Sequence, residues 1–279
     1  MASAQHDSYQ IHYTSSGNGP ALVLLHSFLC DGDMWSEQLA PLAQHYRVIN
    51  IDIRGHGQSS VADRPLDIYD LVKDVLAVLD QEGIDKATWA GLSIGGMIAL
   101  RAALIAPERV ERLLLLDTHA GTETRVKIFK YRLLVTLARL FGIRPLLPLV
   151  SKLMFGRHTL QEQPALVETW QQKFAAMPLV SIDQVCTALC RRDSLKARLG
   201  SISQPALVLV GEEDVSLPPP CSEALAQRLP NATLAIIPRA GHLSTLEQPE
   251  AVTAAMLDFL RGQPDANQPN GNQGRAHAS

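Results

Sequence analysis

A serine, a histidine and a carboxylate occupy positions where they could together turn a hydroxyl into a nucleophile. Ser93 lies in the pentapeptide Gly91-Leu-Ser-Ile-Gly95, between a short apolar run and a helix-forming stretch. This order predicts a strand, a tight turn and a helix, with the serine hydroxyl exposed on the turn. The amides and the positive dipole end of such a helix face any anion that forms on an attacked substrate. We therefore interpret Ser93 as a nucleophile; the alternative is a glycine-rich turn with an incidental serine.

Two later loops could supply the groups that activate this serine. A serine hydroxyl attacks well when an imidazole takes its proton, and a carboxylate fixes the tautomer and the charge of that imidazole. The apolar run 206–210 leads into Gly211-Glu-Glu-Asp214, and the run 233–237 leads into Gly241-His242. We interpret His242 as the base and Asp214 as the acid, because Asp214 is far enough into its loop to turn back toward Ser93.

Other side chains near these positions leave alternatives open. Glu213 lies at the strand end just before Asp214 and is the main alternative acid. Asp117 ends the strand after the serine helix and is a second alternative, although a helix or loop cap is its simpler interpretation. His56, within Arg-Gly-His-Gly, could act as the base but is more typical of a brace in a tight loop. His242 itself could be a surface-loop histidine, since the chain contains nine.

An oxyanion that forms on an attacked carbonyl needs two backbone donors held in place beforehand. One comes from the residue after the nucleophile, here Ile94, and the other from an early loop that follows a strand. That loop begins with His26-Ser-Phe-Leu29. We expect the Phe28 amide to be the second donor, because this loop leaves the carboxyl edge of the sheet beside the serine strand.

Strand and helix patterns alternate along most of the chain. Continuous apolar runs, typical of strands covered on both faces, occur at 21–25, 46–51, 87–90, 112–116, 206–210 and 233–237, and an edge strand is indicated at 10–13. Helical periodicity occurs at 33–42, 68–81, 97–105, 222–228 and 249–260. Between 121 and 199 only helix-like segments follow one another, at 126–141, 146–154, 164–177 and 182–189. The sequence predicts an α/β fold, with a mostly parallel central sheet flanked by helices and an inserted helical lid.

These patterns divide the chain into four parts. The first part of the core domain carries the serine turn (1–119), a helical lid follows (120–199), and the second part of the core carries the acid and the histidine (200–261). The remaining residues, 262–279, are rich in Gln, Asn, Pro and Gly. Because such a segment cannot bury enough apolar surface to become ordered, we expect a flexible tail.

Composition and cysteine spacing exclude several classes of protein. An apolar content of 46%, a charged content of 19% and a net charge of -3 are typical of a globular protein and argue against a nucleic-acid binder. The four cysteines show no C-x-x-C spacing, so we expect buried thiols and no metal or cofactor. The first residues do not resemble a signal peptide, and no uncharged apolar run could span a bilayer. We expect a cytoplasmic protein without a transmembrane segment.

Several motifs together resemble the α/β-hydrolase superfamily over residues 8–261: Gly91-Leu-Ser-Ile-Gly-Gly96, Asp52-Ile-Arg-Gly-His-Gly-Gln-Ser59, Gly211-Glu-Glu-Asp214 and Gly241-His242. Two segments, 26–35 and 240–249, resemble the branch that contains 3-oxoadipate enol-lactonases and related esterases. Ser27 stands where most members of the superfamily carry a glycine. Dehalogenases and epoxide hydrolases share the fold but attack with an aspartate, so Ser93 argues against both.

This resemblance implies a small-molecule hydrolase that needs no cofactor. We expect a serine hydrolase that cleaves carboxylic esters or lactones through an acyl-enzyme on Ser93. The alternative is a hydrolase of carbon–carbon bonds in ring-cleavage products, which would use the same three residues. A more remote alternative is a noncatalytic ligand-binding protein of this fold, which need not keep all three.

The net charge of the predicted lid indicates which kind of substrate or surface the protein could attract. Residues 120–199 contain thirteen Lys and Arg against five Asp and Glu, a net charge of +8, so the remainder of the chain has a net charge of -11. A cationic lid could attract an anionic substrate, could contact an anionic membrane through 126–141, or could be an ordinary solvated surface. Because the enol-lactonase resemblance implies a carboxylate-bearing substrate, we favour the anionic substrate over the membrane.

Large apolar side chains indicate a pocket for an acyl or ring portion. We assign Trp35, Phe129, Trp170 and Leu243 to substrate binding. The sequence leaves the leaving group and the oligomeric state open.

Overall fold

A computed structural model describes residues 2–262. Within them lie eight strands: β1 (Ala2–His6), β2 (Tyr9–Ser16), β3 (Ala21–Leu25), β4 (Arg47–Ile51), β5 (Ala87–Leu92), β6 (Val110–Leu116), β7 (Ala206–Gly211) and β8 (Ala232–Ile237). The α-helices of the same residues are α1 (Ser36–Ala43), α2 (Ile68–Gln81), α3 (Ile94–Ile105), α4 (Arg125–Phe141), α5 (Leu147–Met154), α6 (Arg157–Glu162), α7 (Pro164–Ala176), α8 (Leu179–Arg191), α9 (Pro219–Ala226), α10 (Ser244–Glu247) and α11 (Pro249–Gly262).

The strands form one sheet in the order β1-β2-β4-β3-β5-β6-β7-β8. Neighbours from β4 to β8 run parallel, whereas β2 pairs antiparallel with both β1 and β4. The predicted mostly parallel sheet flanked by helices is therefore confirmed. Because the carboxyl ends of parallel strands meet at one edge, the loops after β3, β5, β7 and β8 lie along the same edge.

The central strands are buried on both faces. In β3, Leu22 and Leu24 pack into one apolar cluster together with Trp35, whereas Val23 and Leu25 pack into a second cluster on the opposite face. This two-sided burial is the reason that these strands appear in the sequence as continuous apolar runs.

The first edge strand of the sheet is β1 and not the predicted segment 10–13. The segment 10–13, expected to be an edge strand, lies in β2, and β1 pairs with its outer side. Of the five side chains in β1, only that of Ala4 is buried. Because no apolar alternation marks β1, the sequence pattern does not reveal it.

Helix α2 has the bounds that the periodicity predicts, 68–81. It begins with a capping box in which the Asp67 side chain accepts from the Asp70 amide and the Asp70 side chain accepts from the Asp67 amide. Gly83 follows its end with a φ of 64°. In contrast, α6 and α10 have only six and four residues, which are too few for the periodic pattern that predicts a helix.

Helices α4 to α8 stand between β6 and β7, and we call them the helical insertion. Within residues 2–262, no single helix is both long and apolar enough to cross a bilayer; α7 and α8 meet that test only together, as a pair bent by 97°. Gly262 is the last residue of α11, so the expected flexible tail does not include it. The rest of that tail, 263–279, lies outside the described residues, and its flexibility stays a prediction.

Candidate active site

Ser93 lies on a sharp turn between β5 and α3. Its φ of 55° and ψ of -111° are unfavourable for a residue with a side chain, at a cost on the order of 1 to 3 kcal/mol. Two hydrogen bonds hold this backbone: the Ser93 amide donates to the Leu116 carbonyl over 2.9 Å, and the Thr118 hydroxyl donates to the Ser93 carbonyl over 2.7 Å. The surrounding structure thus keeps Ser93 in a strained conformation at the carboxyl edge of the sheet.

Glycines on either side of the serine make the turn possible. A Cβ on Gly91 would lie 2.1 Å from the carbonyl carbon of Gly95. A Cβ on Gly95 would lie 2.3 Å from the carbonyl oxygen of Leu25, the last residue of β3. Neither position can hold a side chain, as the Gly-x-Ser-x-Gly pattern predicts. The close approach of α3 to β3 also brings the loop that carries Phe28 next to Ser93.

His242, in the loop after β8, is hydrogen-bonded to Asp214, in the loop after β7. The two side chains are joined from Nδ1 of His242 to Oδ2 of Asp214 over 2.8 Å, and both are buried. The other carboxylate oxygen accepts from the amides of Ser216 and Leu217 over 2.8 and 2.9 Å. Because the imidazole uses Nδ1 for Asp214, its Nε2 is the nitrogen that remains for a neighbour such as Ser93.

Two opposing effects set the pKa of His242. Burial lowers this pKa, because it disfavours the charged imidazolium. The carboxylate of Asp214 raises it by charge and by hydrogen bonding, and Asp117 and Glu247 act in the same direction. The net result is a pKa above the ordinary histidine value of 6.5.

The other two candidate acids are hydrogen-bonded to groups other than His242. Glu213 turns to the start of α6, where it accepts from the Arg157 guanidinium over 2.9 Å and from the His158 amide over 3.1 Å. Asp117 accepts from the Gly211 amide over 2.8 Å and from the Ser244 hydroxyl. Asp117 is also fully buried, so that desolvation, followed by repulsion from Asp214, raises the pKa of this carboxyl well above its usual range.

His56 lies in the tight loop after β4. Its ring packs against that of His26 with 5.0 Å between the ring centroids, and its Nδ1 lies 3.3 Å from the Arg54 carbonyl. Burial and the neighbouring His26 lower the pKa of His56 to about 3. These contacts fit the brace that the sequence suggests and keep the ring uncharged.

Of the two predicted oxyanion donors, Ile94 directly follows Ser93 and Phe28 lines the same cavity as Ser93. Phe28 follows β3 in a turn closed by a 3.1 Å hydrogen bond from the Cys30 amide to the Ser27 carbonyl, and Ile94 is the first residue of α3. In the part of the chain that the structure describes, neither the Phe28 nor the Ile94 amide has a hydrogen-bond acceptor. The buried Ser27 hydroxyl, on the same turn, also has no partner there.

A cavity of about 140 Å³ brings these groups together. Ser27, Phe28, Ser93 and His242 form part of its wall. The rest is mainly apolar and comes from the helical insertion, including Leu134, Val135, Val150, Met154 and Ile182. The cavity wall therefore combines the side chains of Ser93 and His242 with a mainly apolar surface.

Almost none of the positive charge of residues 120–199 faces this cavity. Of the thirteen basic residues in 120–199, only Arg192 lines it. Arg192 donates to the Glu123 carboxylate over 2.8 Å and to the Gly121 carbonyl over 2.9 Å, and Glu123 lines the cavity too. Because this ion pair neutralises the charge, the structure does not support the expected attraction of an anionic substrate into the pocket.

None of the four predicted substrate-binding side chains lines the cavity. Trp35, Trp170 and Leu243 are buried within an apolar cluster and form part of the core instead. Phe129 lies on the outer side of α4 and is 68% exposed. Their positions argue against a role in substrate binding, because apolar character indicates burial or contact but not which surface a side chain faces.

Glu247, which no sequence motif singles out, connects the His242 loop to the helical insertion. Its carboxylate accepts from the Leu243 amide over 3.1 Å, from the Gly156 amide over 2.8 Å and from the Thr159 hydroxyl over 2.6 Å. The signal that could have found it is its position five residues after His242, within the segment 240–249 that carries the branch resemblance.

The four cysteines of this protein are free thiols. Cys30, Cys186 and Cys190 are buried free thiols, and Cys221 is partly buried. Within residues 2–262, no three His, Cys, Asp or Glu side chains are grouped so that they could hold a metal ion.

The sheet order, the strained serine turn and the histidine after the last strand define the class of this protein. A profile of the alpha/beta hydrolase fold family matches residues 20–249. The chain therefore belongs to this family, and the resemblance drawn from its motifs is confirmed.

Individual relatives of this chain include proteins named as enol-lactonases and esterases. The chain is 29% identical to 3-oxoadipate enol-lactonase 2 of Acinetobacter baylyi over 90% of its own length and 93% of that protein. It is similar to the structure of a thermophilic esterase from Thermogutta terrifontis, with a TM-score of 0.88 and 28% identity over 94% of this chain and 98% of the other. The enol-lactonase of Burkholderia xenovorans matches with a TM-score of 0.87 and 29% identity over 93% and 100%.

Proposed function

We propose that this protein is a serine hydrolase of neutral carboxylic esters or lactones with an apolar acyl portion. The observation that carries the proposal is the cavity, whose wall contains both Ser93 and His242, with His242 hydrogen-bonded to Asp214. The similarity to esterases and enol-lactonases supports the same class of reaction.

The first half of the reaction forms an acyl-enzyme. Ser93 Oγ attacks the carbonyl carbon while Nε2 of His242 takes the hydroxyl proton, and Asp214 stabilises the imidazolium that results. The carbonyl oxygen becomes an oxyanion, which the unpartnered amides of Phe28 and Ile94 stabilise by hydrogen bonding. When the tetrahedral intermediate collapses, the bond to the leaving oxygen breaks and His242 returns its proton to that oxygen.

The second half releases the acid. A water molecule attacks the acyl carbon, His242 takes its proton, and a second oxyanion forms at the same amides. Collapse of this intermediate breaks the bond to Ser93 Oγ, which recovers its proton from His242. Each group ends the cycle in its starting protonation state, so no cofactor is consumed.

The cavity wall supports a neutral, apolar acyl portion. The helical insertion contributes mainly aliphatic side chains, and the cavity-facing cation Arg192, which directly follows α8, is paired with Glu123. A free carboxylate on the acyl portion would have to leave water without gaining a cation, which is unfavourable. The cavity wall therefore favours a neutral substrate, whereas the enol-lactonase resemblance implies a substrate that carries a carboxylate.

An ester series tests this substrate class. Lengthening the acyl chain of a p-nitrophenyl ester from acetate should raise kcat/KM by about fourfold per methylene until the cavity is filled, since each buried methylene contributes about 0.8 kcal/mol. Small lactones are compared in the same assay, together with a matched ester that carries a terminal carboxylate. A preference for the carboxylate ester, with a rate that falls steeply as salt rises, would instead indicate electrostatic steering by the basic residues.

The dependence of kcat/KM on pH tests the proposed role of His242 as the base. Neutral imidazole is the active form, so the raised pKa of His242 means that protonation abolishes activity at a higher pH than for an ordinary histidine. We expect kcat/KM for a neutral ester to rise with pH through a midpoint above 6.5. Initial rates across the acidic and neutral range, corrected for spontaneous hydrolysis, measure this midpoint. A flat profile between about pH 5 and pH 8 would exclude a histidine base with this environment.

A further inference from the structure

The helical insertion carries most of the exposed large apolar side chains of the described residues. Thirteen large apolar side chains are exposed in residues 2–262, and eight of them belong to the insertion. Four of the eight form what we call the outer stripe of α4: Val126, Phe129, Leu133 and Leu140. Their spacing of three, four and seven residues places them on one face of the helix, where they are between 46% and 68% exposed.

The opposite face of α4 lines the cavity. Tyr131, Leu134, Val135 and Ala138 all contribute to the cavity wall. At 100° per residue these four side chains point away from the outer stripe. Helix α4 is thus apolar on two sides, and residues 2–262 cover only one of them.

Basic side chains flank the outer stripe on both sides. Helix α4 contains five Lys and Arg and no Asp or Glu. By the helical period, Arg125, Arg132 and Arg139 follow one edge of the stripe and Lys130 follows the other. Arg139 pairs with Asp183 of α8. Among the described residues, Arg125, Lys130 and Arg132 have no acidic partner.

We propose that the outer stripe of α4 and its flanking cations dock onto an anionic lipid bilayer. Apolar side chains at the centre and cations at the edges are the pattern of a helix that lies in a membrane interface, with its cations at anionic headgroups. The docking goes beyond ester hydrolysis and does not depend on it. It places the cavity face of α4 directly behind the face that meets the bilayer.

Two other occupants fit the face less well. A second copy of the chain would bring two helices with five cations each and no carboxylate into contact, which like-charge repulsion opposes. Residues 263–279 contain no Val, Leu, Ile, Met, Phe, Trp or Tyr, so this segment has no large apolar side chain to cover the stripe.

Vesicle sedimentation with the full chain tests the docking. Vesicles of phosphatidylglycerol mixed with phosphatidylcholine should bind the protein at about 0.1 M salt, and vesicles of phosphatidylcholine alone should bind it much less. Raising salt to about 1 M shortens the Debye length from about 10 Å to about 3 Å and should release the protein. Equal binding to both kinds of vesicle, or none to either, would overturn the proposal.

Matched variants separate this face from the rest of the surface. Phe129→Gln/Leu140→Gln should lower the partition coefficient on anionic vesicles at least about tenfold, because two apolar side chains no longer enter the interface. Ile105→Gln/Ile236→Gln changes two exposed apolar residues elsewhere and should alter it less than about twofold. If both pairs lowered binding equally, the effect would not belong to α4.

The charge variants and the oligomeric state complete the test. Lys130→Gln/Arg132→Gln should weaken binding to anionic vesicles by about fivefold per charge removed, whereas Lys86→Gln/Arg228→Gln should have a much smaller effect. Hydrolysis of a short soluble ester should stay within about twofold of the parent in all four variants, since none of these residues lines the cavity. A dimer in light scattering that Phe129→Gln/Leu140→Gln dissociates would overturn the proposal and assign the face to a second copy.

Discussion

Replacing Ser93 by alanine should lower kcat by about 10⁵-fold or more, because the proposed mechanism has no other nucleophile. The fold should persist, since the hydrogen bonds at this turn use the Ser93 backbone amide and carbonyl and not its hydroxyl. Hydrolysis of an activated ester and thermal unfolding of the same preparation measure the two effects. A variant that keeps a substantial fraction of the activity would disprove the assignment of Ser93.

Three companion measurements sharpen this result. His242→Ala should lose a comparable factor, and the double variant should be little worse than either single one, because the two groups act as one unit. A fluorophosphonate probe should label the parent at Ser93 and leave Ser93→Ala unlabelled. Ser93→Gly should be equally inactive but more stable than Ser93→Ala by on the order of 1 kcal/mol, since glycine accepts the φ of 55° without strain.

Asp214→Asn should lower kcat by about 10³ to 10⁴. The asparagine oxygen can still accept from the amides of Ser216 and Leu217, so the loop should keep its course. The asparagine amide would then donate to Nδ1 of His242, which forces the proton of the neutral imidazole onto Nε2. In that tautomer the imidazole cannot accept the proton of Ser93. Steady-state kinetics with a neutral ester measure the loss.

Two neighbouring carboxyls provide matched controls. Glu213→Gln affects contacts with α6, and Asp117→Asn keeps a group that can accept from the Gly211 amide. Each should lower kcat by less than about tenfold, since the hydrogen bonds of both side chains go to groups other than His242. If either control lost more activity than Asp214→Asn, the acid would have to be reassigned to that residue.

Several features of this protein could be predicted from local patterns alone. The central strands are marked by apolar runs, because a strand buried on both faces has no polar side. The serine turn is marked by Gly91 and Gly95, because backbone atoms of other elements occupy the space that a side chain would need. Since each candidate residue follows a strand of a parallel sheet, its place at the carboxyl edge also follows from the order of elements.

Other features depend on contacts between residues far apart in the chain. Glu213 and Asp214 are adjacent carboxylates, and only the path of the loop decides that Glu213 meets α6 while Asp214 meets His242. Strand β1 is held by pairing with β2 and has almost no apolar pattern of its own.

Helix α4 shows this distinction most clearly. Its sequence determines a helix with apolar residues on two sides and cations between them, because side-chain type and the 3.6-residue period are local properties. It does not determine that Leu134 and Val135 line the cavity while Phe129 faces outward. That choice belongs to the tertiary structure, because both faces would gain by burial and only the packing of α4 against α8 and the rest of the chain decides which one is covered.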